Sequence, residues 1–203
     1  MTIRLLLADD QHLVRAGLAA LLNLEPDLDV VHQLADGQDV VNHIRQHQVD
    51  VAVLDIEMPQ IDGITATQQI TEAFGDDVAV LILTTFGRAG YLQRAMAAGA
   101  RGFMVKDAPA EELAQAIRTV HTGGRAVDPA LAAEALSTGT NPLTDRERDV
   151  LSAALTGASV KQIAAQLHLS PGTVRNHLSS AIGKTHTSNR TEAARVAQQS
   201  GWL

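Results

Sequence analysis

The sequence predicts an α/β domain built on a doubly wound five-stranded parallel sheet, followed by an all-α module of four helices. Three observations predict it. Five short apolar runs alternate with amphipathic stretches of helical spacing over roughly residues 1 to 122. Beyond them the strand pattern disappears and helical periodicity takes over. The charge also changes sign: residues 1 to 124 hold 8 Lys/Arg against 17 Asp/Glu, a net −9, while residues 125 to 203 hold 8 against 6, a net +2. From Ser159 onward 5 basic residues face 1 acidic one, with His168, His177 and His186 in addition. An acidic front and a basic tail imply two chemistries on one chain, with polyanion binding confined to the end.

The strands come first. The runs IRLLLA (3 to 8), LDVVHQL (28 to 34), VDVAVLD (49 to 55), VAVLILT (78 to 84) and GFMVK (102 to 106) are rich in Val, Leu and Ile, as strands buried on both faces require. The helical stretches between them supply the crossovers of a parallel sheet, and this domain is expected to end near residue 122. Residues 123 to 140 read as a linker: Gly123-Gly124 and the run from Ser137 to Pro142 are breaker clusters, and the Ala-rich stretch from Pro129 to Leu136 between them is one short helix. Residues 141 to 203 then carry helices near 144 to 156, 160 to 167, 171 to 184 and 190 to 199. Thr144 three residues before Glu147 is a capping box, with Val150, Leu151, Ala154 and Leu155 as the apolar stripe and Gly157 as the stop. Ile163, Ala164 and Leu167 face inward from the second helix. A turn through His168-Leu169-Ser170 leads to Pro171 at the head of the third, whose buried face is Val174, Leu178 and Ile182.

Composition removes whole classes of function. Zero cysteines among 203 residues exclude disulfides, thiolate nucleophiles and cysteine-ligated zinc or iron–sulfur centres. The apolar stretch at the N-terminus is too short for a signal peptide or membrane span, so a cytoplasmic protein without membrane contact is expected. The eight histidines are read as carrying no metal-site pattern, with no His-x3-His pair on a polar face, and packing or solvated roles are expected for most.

In a doubly wound sheet, ligands sit outside the carboxyl ends of the strands, and each run delivers a polar group there. The first ends in Asp9-Asp10, the third in Asp55, the fourth in Thr84-Thr85 and the fifth in Lys106, followed by Asp107. Crowded carboxylates repel one another, and a hard divalent cation such as Mg²⁺ relieves the repulsion. With that cation present an ionised aspartate can attack a phosphoryl group, while Lys106 and Thr84 offer charge and hydrogen bonds to the transferred oxygens. AlaAspAsp (8 to 10), LeuAspIleGluMetPro (54 to 59) with Gly63, ThrThr (84 and 85), AlaGlyAlaArgGly (98 to 102) and ValLysAsp (105 to 107) resemble the signature of the receiver domain, a flavodoxin-like fold. The resemblance covers roughly residues 2 to 122. It implies that Asp55 is the phosphoacceptor, that Asp10, Asp55 and the main-chain carbonyl of Glu57 hold Mg²⁺, and that Asp9 supports the site. It also implies that Lys106 contacts the phosphoryl group, that Thr84 and Phe103 form a hydroxyl and aromatic switch pair, and that Pro59 and Gly63 shape the loop after Asp55. By periodicity alone Phe103 is equally a core residue of a buried strand.

Two short helices, a tight turn and polar groups at the front of the second describe a helix-turn-helix whose second helix can enter the major groove. Gly172, Thr173, Arg175, Asn176 and Ser179 face outward. Arg175 can read guanine edges and Asn176 adenine edges, while Lys161, Thr173, Lys184 and Arg190 meet phosphates and His177 lies near the DNA side. The stretches LeuThrAspArgGluArgAspValLeu, IleAlaAlaGlnLeu, SerProGlyThrValArgAsnHisLeu and AsnArgThrGluAla resemble the LuxR-type helix-turn-helix of the NarL/FixJ response regulators over residues 141 to 203. LysThrHis (184 to 186) departs from the usual LysLeuGly, and Ser179 stands where some relatives carry a base-reading lysine. ThrThrPheGlyArgAlaGlyTyr (84 to 91), GlyThrValArgAsn and the terminal GlyTrp are similar to the membrane-fluidity regulators that switch on a fatty-acid desaturase.

The expected function is a transcription factor controlled by phosphorylation of Asp55, in which the receiver catalyses only its own phosphorylation and dephosphorylation. The partners this implies are a sensor histidine kinase, a double-stranded DNA operator, a second copy of the chain after phosphorylation and, further, RNA polymerase. Leu13, Leu21, Ile117 and Val120, on the first and last helices of the α/β domain, exceed a narrow core-facing stripe and are expected to supply part of the dimer surface. A phosphotransferase with an aspartyl nucleophile would need a substrate-specific cap, for which the short connections leave no room; a constitutive DNA binder would not need the intact acid cluster and Lys106.

Overall fold

The computed structural model describes residues 2–85, 87–137 and 141–203, so Phe86 and the linker tract 138–140 lie outside the described residues. The chain divides into two compact units, the first built from residues up to Gly87 and from Leu92 to Ala132, the second from the remainder.

The first unit holds β1 (Ile3–Ala8), α1 (His12–Leu22), β2 (Leu28–Leu34), α2 (Val40–His47), β3 (Val51–Leu54), α3 (Gly63–Phe74), β4 (Ala79–Thr84), the greater part of α4 (Ala89–Ala97), β5 (Gly102–Val105), α5 (Ala110–His121), β6 (Ala126–Val127) and the start of α6 (Pro129–Ser137). All neighbours pair in parallel in the order β2-β1-β3-β4-β5-β6, so the winding reverses between β1 and β3. All five expected strands are present. A sixth extends the sheet where only linker was expected, because the chain leaving α5 turns back at Gly123-Gly124 and pairs Ala126 with Gly102 and Val127 with Phe103. β3 is buried along its whole length, the sign of a sheet covered on both faces. One face, carrying Leu5, Leu7, Val51, Val53, Leu81 and Leu83, packs on Ala19 and Leu22 of α1 and on Leu113, Ile117 and Val120 of α5.

That packing corrects one expectation. Ile117 and Val120 are fully buried and belong to the core, so they have no surplus to offer a partner. The exposed apolar surface lies on and just after α1, at Leu13 (85% exposed), Leu24 (79%) and Leu21 (48%).

The second unit holds α7 (Asp145–Leu155), α8 (Val160–Gln166), α9 (Pro171–Lys184) and α10 (Arg190–Gln199). Every one of these helices starts at a residue whose side chain accepts a backbone N–H: Thr144 from Glu147, Ser159 from Gln162, Ser170 from Thr173 and Asn189 from Glu192. Thr144 with Glu147 and Ser159 with Gln162 are full capping boxes, and Pro171 occupies the first turn of α9. Gly157 ends the first helical stretch at φ +79°, a left-handed conformation that favours glycine. His168 adopts φ +54° in the turn between α8 and α9, where the Leu169 N–H donates to the Ala164 carbonyl. Val150, Leu151, Ile163, Ala164, Val174, Leu178 and Ala181 close a core with Ala193, Ala194 and Ala197 of α10. Leu155 is 40% exposed rather than part of the stripe, and Leu167 and Ile182 are only half-buried, while Val150 and Leu151 on α7, Ile163 on α8 and Val174 and Ala181 on α9 are fully buried.

Candidate functional site

The carboxyl edge of the sheet gathers the polar groups that the strands deliver. Asp9 follows β1 and Asp55 follows β3, the two strands that flank the winding reversal, and both are buried (1% and 3% exposed). Asp10 is exposed beside them, and one carboxylate oxygen from each of Asp9, Asp10 and Asp55 lies within 4.8 Å of the others. Lys106, following β5, bridges the buried pair: its Nζ is 2.7 Å from Asp9 Oδ2 and 2.8 Å from Asp55 Oδ2. The backbone fastens the same edge, with the Asp55 N–H donating to the Ala8 carbonyl and the Lys106 N–H to the Thr84 carbonyl. Gln11 N–H holds Asp9 Oδ1 at 2.8 Å. Glycine is required at residue 63, because a Cβ there would come within 2.0 Å of the Asp55 carbonyl oxygen.

Electrostatics leaves this site short of positive charge. Burial pushes the Asp55 carboxyl up from its ordinary range, and the hydrogen bond from Lys106 offsets that only in part. Burial pulls the Lys106 ammonium down, but its bonds to Asp55 and Asp9 prevail and hold it protonated. One ammonium is thus shared by two buried carboxylates, with a third carboxylate alongside, and Asp55 Oδ1 is buried without a hydrogen-bond partner. A hard divalent cation suits such a cluster of oxygens, so the residues present fit Mg²⁺. The Glu57 side chain is exposed and outside the cluster.

Thr84 is buried at the end of β4, and Phe103 is buried near the start of the neighbouring β5. Phe103 pairs with Ile82 and Val105 with Thr84, so by alternation Thr84 and Phe103 point to the same side of the sheet, opposite the face packed on α1 and α5. The pair can therefore share one pocket wall; Phe103 is also plainly core, being fully buried.

In the second unit, Lys161, Arg175, Asn176 and Ser179 are exposed on α8 and α9, Thr173 and His177 are half-exposed, and Arg190 begins α10. Lys161, Arg175 and Asn176 make no ion pair or side-chain hydrogen bond among the described residues. Thr173 is engaged with the Ser170 hydroxyl at 2.8 Å. Lys184 is the exception among the expected phosphate contacts: its Nζ lies 2.7 Å from Oε2 of the buried Glu147, which ties it to α7 instead of leaving it free on the surface.

Two domain models match the two units. The response regulator receiver domain covers residues 5–118, and the bacterial regulatory proteins of the luxR family cover residues 141–197. The chain is a response regulator. The transcriptional regulatory protein DesR of Bacillus subtilis is 42% identical to this regulator over 99% of both chains, and the transcriptional regulatory protein UhpA of Escherichia coli is 38% identical over 95% of this chain and 96% of its own. The crystal structure of the response regulator ChrA, from a heme-sensing two-component system, is similar at a TM-score of 0.60 and 36% identity, covering 100% of this chain and 99% of that one. The regulator is thus a two-component transcription regulator with a receiver and a LuxR-type DNA-binding domain, the family that its motifs resemble. No helix among the described residues is long and apolar enough to cross a membrane.

Two features of the regulator escaped sequence reasoning. Glu147 does more than cap α7: its carboxylate accepts from the Thr144 N–H, the Ser180 hydroxyl (2.6 Å) and Lys184 (2.7 Å). Burial opposes its ionisation, yet the bonds from Lys184, Ser180 and Thr144 prevail and bring its pKa down to about 2. The expectation that the histidines form no metal pattern is also corrected. His43 and His47 are a His-x3-His pair on α2, and their rings stack with that of His32 on β2. The spacing was visible in the sequence; its partner on β2 was not.

Proposed function

We propose that a sensor histidine kinase phosphorylates Asp55 in a Mg²⁺-dependent reaction, and that the phosphorylated regulator dimerises and binds a specific double-stranded DNA operator to regulate transcription. The observation that carries the reading is the Asp55 carboxylate, with one oxygen on Lys106 and the other buried and unpartnered beside Asp9 and Asp10. An Asp55 oxygen attacks phosphorus, the bond from phosphorus to the donor breaks, and the donor leaves with the electron pair of that bond. Mg²⁺, held by Asp10, Asp55 and the Glu57 carbonyl with Asp9 in support, would supply positive charge against the phosphoryl oxygens. Lys106 must exchange a carboxylate oxygen for a phosphoryl oxygen, and Thr84 can donate its hydroxyl to another; both residues sit at strand ends tied by one backbone hydrogen bond, so a shift in one is carried to the other. Phe103, on the same side as Thr84, follows that movement. Only this self-phosphorylation and its reversal are catalysed by the chain.

The domain limits that go with this reading are a receiver over residues 1–122, a linker over 123–140 and a DNA-binding domain over 141–203. On DNA, Arg175 and Asn176 meet base edges, with His177 and Ser179 at the margin, and Lys161, Thr173 and Arg190 meet phosphates. Lys184 reaches a phosphate only by leaving Glu147. The exposed Leu13, Leu21 and Leu24 suit the dimer surface, since an apolar patch on a single helix gains most from a second copy. RNA polymerase in the cytoplasm is the onward partner.

The test is labelling with a small phosphodonor and Mg²⁺, followed by sedimentation. The wild-type chain is expected to take up one phosphoryl group and shift from monomer to dimer, and Asp55→Asn to do neither. Equal labelling of Asp55→Asn would overturn the phosphoacceptor assignment. A phosphorylated monomer that gains DNA affinity would overturn the dimerisation step.

A further inference from the structure

The histidine cluster on the edge of the sheet lies outside everything the phosphorylation reading uses. His32 stands on β2, the edge strand, and its ring centroid is 4.1 Å from that of His43 and 4.5 Å from that of His47, one helical turn apart on α2. The three ring planes lie within 11° to 16° of parallel. One ring nitrogen from each residue lies within 4.8 Å of the others, and the group contains no carboxylate. All three side chains are half-exposed, so a cation can enter from solvent. His43 Nδ1 is nonetheless buried and has no hydrogen-bond partner, an uncommon state for an imidazole nitrogen. Val40 and Ile44, on the same side of α2, are buried and anchor that helix; the Arg4 Nε–H holds the His47 carbonyl at 2.8 Å.

Stacked imidazoles also occur as plain packing, but two further points favour a ligand. Two histidines four apart on a helix with a third from an adjacent strand match the three-imidazole set of open zinc sites. The donors are also of the opposite kind to those at Asp55: imidazole suits zinc, nickel, cobalt and copper, whereas carboxylates and carbonyls suit Mg²⁺. A tetrahedral zinc at 2.0–2.1 Å needs nitrogens about 3.4 Å apart, a closure that the half-exposed rings reach by turning about their side-chain bonds.

We propose that His32, His43 and His47 bind one divalent transition-metal cation of the zinc class, with water in the fourth position, and that the bound ion pins α2 to the edge strand β2. The test uses the untagged full-length chain in excess Mg²⁺, which occupies the acidic site, titrated with Zn²⁺ alone and in parallel with Co²⁺. One Zn²⁺ per chain is expected, with the ¹⁵N resonances of these three imidazoles shifting together while the other five stay in place, and with Co²⁺ giving the visible absorption of a four-coordinate ion. His32→Gln and His43→Gln, each checked for native circular dichroism, should bind Zn²⁺ at least about tenfold more weakly, while His121→Gln should bind as the wild type does. Should either variant fail to fold, the imidazole resonances of the wild-type chain decide. Absence of saturable uptake, uptake displaced by Mg²⁺, or shifts confined to other histidines would overturn the proposal.

Discussion

The two units place their functional groups in opposite physical states. At the sheet edge, Lys106 bonds to both Asp9 and Asp55 and the two carboxylates are buried, so the groups proposed to react are held in position before any ligand arrives. On α8 and α9, Lys161, Arg175 and Asn176 are exposed and have no side-chain bond among the described residues, held only by the helices beneath them. The difference teaches where each site gets its specificity. A phosphoryl acceptor must order charge against burial in advance, because reorganisation would be added to the barrier. A DNA-reading surface gains by staying solvated until base edges and phosphates replace water.

The largest expected effect comes from breaking the buried side of that comparison. Lys106→Ala leaves two buried carboxylates facing each other without their shared cation, and removes the ammonium proposed to contact the phosphoryl group. Phosphorylation should remain measurable with a small phosphodonor, but the gain in DNA affinity on phosphorylation should disappear; gel-shift titrations with and without phosphodonor check this, and an unchanged gain would refute the role.

Among the described residues, Glu147 is the one ionised group of the second unit that is as buried as Asp9 and Asp55, and it sharpens the contrast. Its pKa in the folded chain is about 2 against an ordinary 4.5, so ionised Glu147 contributes stability that is fully present above pH 4.5 and is lost as pH falls from there toward 2. The shift corresponds to about 3 kcal/mol. Urea unfolding followed by the fluorescence of Trp202, the chain's one tryptophan and part of the second core, should show Glu147→Gln less stable by roughly that amount at pH 7. The gap between variant and wild type should close near pH 2; a gap independent of pH would mean that packing, not charge, makes the contribution.

Smaller effects belong to the solvated surface. Arg175→Ala is expected to cost about 1–3 kcal/mol at the true operator and to relax base preference at its position, measured by binding to a panel of single-base operator variants. Uniform weakening across the panel would reassign Arg175 to phosphate. Lys161→Ala should do what Arg175→Ala should not: weaken all sequences alike and lower the salt dependence of binding by about one phosphate contact, a slope change of ~0.9 in log Kd against log salt. An unaltered slope would remove Lys161 from the interface.

Much of this molecule was legible along the chain, and the readable parts share a property. Strand runs, capping residues, the proline at the head of α9 and the acidic residues ending β1 and β3 are local patterns, set by periodicity and by which backbone groups a helix end leaves unpaired. The same locality explains the failures. Periodicity reports that a helix has an apolar face but not what covers it, so Leu13 looked like Ile117 and Val120 although α5 lies on the sheet and Leu13 faces solvent.

By itself, then, the sequence determined the alternation of strands and helices, the two-unit division of chemistry and the residues at the sheet edge, because strand alternation, helix caps and charge are written in neighbouring residues. Tertiary structure alone decided the contacts between distant ones: β6 pairing with β5, Lys184 turned from the surface to Glu147 37 residues away, and His32 stacked on the two histidines of α2. Which of several chemically competent partners a side chain meets depends on how the elements pack, and that is settled by burial over the whole unit rather than by any local pattern.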